Sequence, residues 1–230
     1  MVNGYSAQQI RDAEAPHLAA GEPLMQRAAA ALADVIVTLL PADATARILV
    51  LAGSGNNGGD ALFAAAVLAE RGCDVNIVPV GSRIHEAGLA AALAAGAHDE
   101  ADVDAAGLFA LAESSAVVVD AILGTGSGTG SSASHALRGR ARDVASAILP
   151  VVTADGGPVV VAVDIPSGID PDSGSVPDPI VLPADVTVTF GAYKAGLLVE
   201  PAASLAGDIR LVDIGLGAEL ARMQPVVQSD

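Results

Sequence analysis

The chain has 230 residues, of which 52% are hydrophobic and only 2% are aromatic. Its 27 acidic side chains against 11 basic ones give a net charge of −16, which disfavours a nucleic-acid-binding surface because such a surface needs lysine and arginine to replace counterions on phosphate. The apolar content excludes disorder, and the longest apolar stretch, around Ala28–Leu40, is shorter than the ~20 residues that span a bilayer. Since Cys73 is the only cysteine and no secretory signal is visible, we expect a cytoplasmic protein without membrane or nucleic-acid partners.

Six runs rich in valine and isoleucine recur along the chain. They are continuously apolar rather than alternating, which is typical of parallel strands covered on both faces. The predicted strands are Ile48–Ala52, Val75–Val80, Val117–Asp120, Val159–Asp164, Val186–Phe190 and Ile209–Val212.

Stretches with helical spacing lie before and between these runs. One helix is predicted to begin at Pro23, and others cover Ala61–Arg71, His85–Ala95 and Ser134–Leu149. The alternation of strands and helices predicts an α/β sheet with right-handed crossovers. Two helices within about Ser6–Leu40 come before any predicted strand, so we expect an added N-terminal helical segment.

The apolar pattern ends before the last residues of the chain. We therefore expect one domain over residues 1–220, and a tail or the start of a linker over residues 221–230.

A glycine-rich loop follows the first predicted strand. It reads Gly53-Ser54-Gly55-Asn56-Asn57-Gly58-Gly59-Asp60 and precedes a helix, so its backbone N–H groups and the helix N-terminus resemble a phosphate cradle. Gly53, Gly55 and Gly58 match the G-x-G-x-x-G glycine pattern of the dinucleotide fingerprint. The acidic residue that completes this fingerprint is missing, because the second strand ends at Val80-Gly81-Ser82. The loop is predicted to bind a ligand, and a merely tight strand–helix turn is the alternative.

A second glycine-rich segment, Gly124–Gly130, follows Asp120 at the end of the third predicted strand. An unpaired carboxylate at the end of a buried strand is costly, so Asp120 should meet a cation, a hydrogen-bond donor or a ligand. The alternative is an Asx-turn that caps the strand and leads into a disordered loop.

The fourth predicted strand ends at Asp164, just before a turn that contains Ser167. Open α/β sheets bind ligands at the carboxyl ends of their strands, where these motifs can converge. Hard oxygen atoms from Asn57, Asp120 and Ser167 suit an alkali or alkaline-earth cation better than a soft metal, whereas turn chemistry alone is the alternative. Lys194 follows the fifth strand and is either a phosphate ligand or a solvated surface lysine.

The motifs, in this order, resemble those of the NAD(P)H-hydrate epimerases, the YjeF N-terminal family. The residues that carry the resemblance are Asn56-Asn57-Gly58-Gly59-Asp60, Val119-Asp120-Ala121, Val163–Gly168 and Thr189–Gly196, together with the opening segment Glu22–Ala28. The resemblance extends from about Ser6 to Gly217. In one departure from the family, the loop after the second motif carries glycine, serine and threonine where bulky or basic residues are common.

This resemblance implies a three-layer α/β/α Rossmann-like sandwich with a mostly parallel sheet, a bound potassium ion and a homodimer. It implies interconversion of the R and S epimers of NADHX and NADPHX, the hydrated forms of the reduced nicotinamide cofactors. An ADP- or ATP-dependent dehydratase, separate or fused, would then consume the S epimer.

The resemblance also implies site residues. The implied substrate contacts are Asn56, Asn57, Gly58, Gly59, Asp60, Gly124, Thr125, Gly126, Ser127, Gly128, Thr129, Gly130 and Asp164. The implied potassium ligands are Asn57, Asp120 and Ser167. Asp164 is our candidate acid–base residue at C6 of the hydrated ring, where loss of a hydroxyl and return of water to the other face would invert the centre.

Two other functions stay open at this point. A dinucleotide-dependent oxidoreductase would use the same glycine loop but lacks the ribose-binding acid. A non-catalytic nucleotide-binding or scaffold module would keep the pocket without turnover.

Overall fold

A parallel sheet forms the centre of the computed structural model, which describes residues 1–41, 46–126 and 134–229. In spatial order its strands are β4 (His98–Asp99), β3 (Asp74–Pro79), β2 (Arg47–Ala52), β5 (Val117–Ala121), β6 (Val159–Val163), β7 (Val186–Phe190) and β9 (Asp208–Val212). All neighbouring strands in this sheet pair in parallel. With β2 counted as the first strand, the first six follow the order 3-2-1-4-5-6 of doubly wound dinucleotide-binding sheets. The α/β prediction is confirmed.

Helices cover both faces of this sheet. They are α1 (Ala7–Ala19), α2 (Leu24–Leu39), α3 (Asn56–Glu70), α4 (Glu86–Ala94), α5 (Ala105–Ser114), α6 (Gly139–Val152) and α7 (Gly217–Leu220). Successive side chains of a strand point to opposite faces, so β2 contributes to two apolar layers. Ile48 packs in the cluster that contains Leu32 of α2, and Leu49 packs in the cluster that contains Ile148 of α6.

The six predicted strands are confirmed to within one residue at each end. The helix predicted from Ala61 in fact begins at Asn56, because Gly55 takes the extended conformation of an N-cap and the residues after it turn directly into the helix. The helix predicted over Ser134–Leu149 begins later, at Gly139, and continues to Val152. The prediction did not include α5 or the short strand β4.

A second sheet joins the two ends of the chain. It contains β10 (Val227–Ser229), β1 (Val2–Tyr5) and β8 (Tyr193–Lys194), in that order. Strand β1 precedes α1, which corrects the expectation that helices come before any strand. At the other end, Val2 pairs with Ser229 in antiparallel register, so β10 packs against β1.

The N-terminal helix α1 has a well-defined start. The Ser6 hydroxyl accepts a hydrogen bond from the Gln9 backbone N–H at 3.2 Å, and the Gln9 side chain accepts one from the Ser6 N–H at 2.9 Å. This reciprocal capping box satisfies two of the N–H groups that the start of a helix leaves unpaired. The Ala7 N–H also donates to Asp172 at 2.6 Å, which fixes α1 to the loop that follows β6. Within the described ranges, no helix has the length and apolar character needed to cross a membrane.

Candidate active site

A cavity of about 620 Å³ opens at the carboxyl ends of the parallel strands. Its walls come from the loops after β2, β3, β5 and β6, so it lies at the switch point between β2 and β5 where the strand order reverses. This volume falls within the ~300–1,000 Å³ typical of ligand pockets. The topology therefore brings the sequence motifs to one place.

The first glycine loop forms the middle of the cavity wall. Gly55, Asn56, Asn57 and Asp60 line the cavity, and because α3 begins at Asn56, its unpaired N–H groups lie at the same wall. Gly53 permits the approach of the neighbouring loop, since a Cβ there would stand 1.9 Å from the carbonyl oxygen of Ile122.

Gly58 and Gly59 lie behind this wall. A Cβ on Gly58 would stand 2.2 Å from the Gly53 carbonyl oxygen, and one on Gly59 would stand 3.0 Å from the Met25 side chain. Both positions are buried and serve the packing of α3. Direct ligand contacts from Gly58 and Gly59 stay a prediction.

The loop after β5 forms the opposite wall. Gly124, Thr125 and Gly126 line the cavity, and Arg11 of α1 donates from Nη1 to the Thr125 carbonyl oxygen at 3.2 Å. The predicted contacts at Ser127, Gly128, Thr129 and Gly130 lie outside the described residues.

Asp120 is completely buried at the end of β5. Its Oδ1 accepts a hydrogen bond from the Ser167 hydroxyl at 2.6 Å, and its Oδ2 accepts one from the Ser167 N–H at 2.8 Å. The Ile122 N–H donates a longer bond, at 3.3 Å. Burial raises the pKa of Asp120, and the bonds from Ser167 and Ile122 oppose that rise. Among the residues with described positions, no lysine, arginine or histidine forms an ion pair with this carboxylate.

Asn57 reaches the same short segment from α3. A Cβ on Gly124 would stand 3.0 Å from Asn57 Oδ1, and the Leu123 N–H donates to the Ser167 hydroxyl at 2.8 Å. The Nδ2 atom of Asn57 is buried and has no hydrogen-bond partner among the described residues. Turning this amide over would present its oxygen at that position, where a cation can bind it.

These three side chains fit an oxygen-coordinated monovalent cation. Asp120 supplies one buried carboxyl group that forms no ion pair with a residue of the described ranges, and Asn57 and Ser167 supply neutral oxygen atoms. Hard oxygen donors of this kind favour alkali and alkaline-earth ions.

Asp164 lies in the cavity wall just beyond β6. It is the only non-glycine residue of the described chain with positive φ, +69°, a conformation that aspartate tolerates better than most residues. Its backbone N–H donates to the Val188 carbonyl oxygen at 2.7 Å, and its Oδ1 accepts from the Phe190 N–H at 3.3 Å. These bonds aim the carboxylate into the cavity.

Lys194 lies beside Asp164 and is 1% exposed. Its ammonium group contacts Asp164 Oδ1 and donates to the Phe190 carbonyl oxygen at 2.9 Å. The surface alternative for Lys194 is therefore wrong, because the pairing of β8 with β1 places this residue inside the protein. The ammonium engages a carboxylate of the chain itself.

Two further carboxyl groups face the same cavity. Burial raises the pKa of Asp60 to about 8, and the nearby carboxylates of Asp164 and Glu14 add to this rise. Burial also raises the pKa of Glu14, against the opposing effect of Lys194. The cavity therefore contains a buried carboxyl with a raised pKa at Asp60, near the ion pair of Asp164 and Lys194.

Helix α1 also lines the cavity, although none of the sequence motifs predicted its contribution. Ile10, Arg11, Glu14 and Leu18 line the cavity along one face of this helix. Ile10, Glu14 and Leu18 follow each other at four-residue intervals, and Arg11 lies three residues before Glu14. This spacing is the available sequence signal, because residues three or four apart share a helix face.

Comparisons with known proteins identify the family of this chain. The sequence model of the family described as "YjeF-related protein N-terminus" matches residues 21–196. The chain belongs to this family. A curated "NAD(P)H-hydrate epimerase" of Clavibacter michiganensis subsp. michiganensis is 54% identical over 231 residues, which cover 100% of this chain and 96% of that protein. The one from Microbacterium testaceum is 47% identical and covers 98% and 84%, respectively.

The family also includes longer relatives. A "Bifunctional NAD(P)H-hydrate repair enzyme Nnr" of Mycobacterium leprae is 40% identical over 92% of this chain, which corresponds to 41% of that protein. Among solved structures, the crystal structure of yeast YNL200c matches with a TM-score of 0.70 at 20% identity, over 85% of this chain and 83% of that chain. At this identity the structural match supports the fold.

Proposed function

We propose that this chain is an enzyme that interconverts the R and S epimers of NADHX and NADPHX. The observation that carries the proposal is the cavity at the sheet switch point, in which the glycine loop after β2 faces the Asp164–Lys194 pair. Relatives at 54% and 47% identity over nearly the whole chain are named for this reaction.

Asp164 is the proposed acid–base residue. In the hydrated nicotinamide ring, the lone pair of the ring nitrogen assists departure of the C6 hydroxyl, which needs a proton to leave as water. Water then adds to the opposite face and gives up a proton, so the overall proton count is unchanged. Asp164 contacts the Lys194 ammonium, and burial raises the pKa of the neighbouring Asp60 to about 8. A carboxyl group with a pKa raised toward the working pH, beside a second carboxyl in one cavity, is an arrangement that acid–base catalysis uses.

The proposed substrate contacts divide between two walls. Asn56, Asn57 and Asp60 lie at the N-terminus of α3, where backbone N–H groups can bind the pyrophosphate. Gly124, Thr125 and Gly126 face them from the loop after β5. Backbone donors explain how a chain with net charge −16 can hold a polyanion without a basic patch.

Asn57, Asp120 and Ser167 are the proposed potassium ligands. When bound, potassium would balance the Asp120 charge and orient a phosphate or ribose oxygen of the substrate. Asp120 and Ser167 hold the loops after β5 and β6 together through two hydrogen bonds.

We propose a cytoplasmic location and a functional partnership with an ADP- or ATP-dependent dehydratase, separate or fused. The bifunctional repair enzymes among the relatives support the partnership, since a region similar to this chain makes up 41% of their length. We also propose that the chain forms a homodimer, on the basis of the family resemblance.

The deciding experiment supplies purified R-NADHX to the chain together with a dehydratase that consumes only the S epimer. We expect consumption of the R epimer far above its spontaneous rate, which would identify the epimerase. Tight nucleotide binding without acceleration would instead identify a non-catalytic module. Redox turnover of NAD(P)H would identify an oxidoreductase.

A further inference from the structure

The end of β3 lies where dinucleotide-binding sheets contact the adenosine ribose. Ala52 of β2 pairs with Pro79 of β3, and the Val80 N–H donates to the Ala52 carbonyl oxygen at 2.9 Å. The loop that starts at Gly81 therefore runs beside the glycine loop after β2.

These two loops are in direct contact. A Cβ on Gly81 would stand 2.0 Å from the Ser54 hydroxyl, and this hydroxyl accepts a hydrogen bond from the Arg83 N–H at 3.3 Å. Ser54, Gly81 and Arg83 all line the cavity that also contains Asp164. A ligand that lies along the cavity can therefore reach both loops.

The strand order sets the orientation of a dinucleotide in this cavity. In sheets with this order, the pyrophosphate lies at the loop after the first strand and the adenosine ribose lies at the end of the second. The second strand here is β3, with Arg83 just beyond it. The nicotinamide half then extends over β5 and β6 toward Asp164, the residue that we propose acts on it.

Charge distinguishes the two ends of the cavity. Glu14, Asp60 and Asp164 interact electrostatically with Lys194 or contact it, and they form the carboxyl-rich end. At the other end, residues 80–83 include no acid that could accept the ribose 2′-hydroxyl. In this type of sheet an arginine at that position accommodates a 2′-phosphate.

The side chain of Arg83 is available for such a ligand. Arg11, the other arginine in the cavity wall, donates to Thr125 and Gln8. Arg140, near the end of β3, donates to the carbonyl oxygens of Pro79 and Ala101. The guanidinium of Arg83 makes no hydrogen bond or ion pair within residues 1–41, 46–126 and 134–229.

We propose that Arg83 binds the 2′-phosphate of the adenosine ribose, so that the chain prefers NADPHX to NADHX. This inference rests on the proposed function and names its substrate class. A charged hydrogen bond to phosphate should give a preference of roughly 10-fold or more for the phosphorylated ribose.

The test compares kcat/KM for R-NADPHX and R-NADHX in the wild type, Arg83→Ala and Arg83→Lys. Arg222→Ala, at an exposed position away from the cavity, is the matched control. We expect Arg83→Ala to lower kcat/KM for NADPHX roughly 10-fold, by raising KM, because the lost contact is remote from the reacting carbon. The value of kcat/KM for NADHX should change by less than about 2-fold, because NADHX has no 2′-phosphate. Arg83→Lys should retain part of the preference. Equal losses for both substrates, or no loss for either, would overturn the inference.

A binding measurement separates this inference from the proposed function. The binding of adenosine 2′,5′-bisphosphate and of AMP can be measured by calorimetry. The wild type should bind the bisphosphate more tightly than AMP, whereas Arg83→Ala should bind the two nucleotides equally. If the chain binds the bisphosphate in this way but epimerises neither hydrate, the subsite stands and the proposed reaction fails. If it epimerises both hydrates and does not distinguish the two nucleotides, the reaction stands and the subsite fails.

Discussion

The ammonium group of Lys194 contacts the carboxylate of Asp164 in the cavity wall, and their side chains are only 2% and 12% exposed. The two residues come from different parts of the fold. Asp164 follows β6 of the main sheet, whereas Lys194 belongs to β8, which pairs with β1 at the N-terminus. The small sheet therefore supplies the counter-charge of the proposed catalytic residue.

Lys194→Met should lower the free energy of unfolding by about 3–5 kcal/mol, because it removes the counter-charge that contacts the buried Asp164 carboxylate. The double variant Lys194→Met/Asp164→Asn should lose less than the sum of the two single variants, since neither charge remains. Urea unfolding of all four proteins measures this coupling. Additive losses would show that the two side chains do not interact energetically.

Asp164→Asn should reduce epimerisation by about 10²–10⁴-fold, the range that acid–base catalysis contributes. The fold should persist, because asparagine tolerates positive φ and keeps an oxygen acceptor for Lys194. The measurement is the coupled epimerase assay together with circular dichroism. Asp155→Asn, in an exposed turn, should retain full activity. Retained turnover in Asp164→Asn would exclude the acid–base role.

The main sheet was predictable from local sequence, whereas the burial of Lys194 was not. Val117–Asp120 is a run of valines before an acid, and it forms β5 nearly as predicted because parallel strands need apolar side chains on both faces. Strand β8 has two residues and no apolar run, and its position depends on a pairing with Tyr5. A contact over that sequence distance leaves no local pattern, and lysine is usually exposed.

The candidate site shows the same division. Glycine spacing and strand ends predicted where Asn57 and Asp120 lie, because parallel topology brings strand ends to one edge. The contribution of Glu14 depends on how α1 folds over that edge, and its capping box at Ser6 reveals the helix but not its orientation. Helix α5 had a recognisable start at Asp104, which accepts from the Gly107 N–H at 2.8 Å.

Asp60 should make stability depend on pH. Its pKa is about 8 in the folded chain against 3.8 for an ordinary aspartate, so between these values the folded state keeps a proton that the unfolded state has released. This contribution is complete below about pH 4 and is lost as pH rises to about 8. Asp60→Asn cannot titrate, so its stability relative to the wild type should increase with pH across this window, by up to about 1.4 kcal/mol per pH unit. Urea unfolding of both proteins at several pH values measures this difference in stability. Parallel pH profiles of the two proteins would contradict the raised pKa of Asp60.

Potassium should stabilise the wild type specifically. A ligand at ten times its dissociation constant adds about 1.4 kcal/mol to the free energy of unfolding. The measurement is thermal unfolding in potassium chloride against tetramethylammonium chloride at equal ionic strength. Asp120→Asn should lose the difference between the two salts, whereas Asp143→Asn, exposed on α6, should keep it. An equal response of the wild type to both salts would exclude the cation site.

Gly53 and Gly55 separate the structural role of the first glycine loop from its ligand role. A Cβ on Gly53 would collide with the Ile122 backbone at 1.9 Å, so Gly53→Ala should push apart the ends of β2 and β5 and lower the free energy of unfolding by about 1–3 kcal/mol.

Gly55 has open space around its Cβ position and an extended backbone with φ −95°, yet it lines the cavity. Gly55→Ala should therefore change the free energy of unfolding by less than about 1 kcal/mol and raise KM for the hydrate. Thermal unfolding and steady-state kinetics on the two variants distinguish these effects. A Gly55→Ala protein with normal stability and unchanged KM would show that the substrate does not approach this part of the loop.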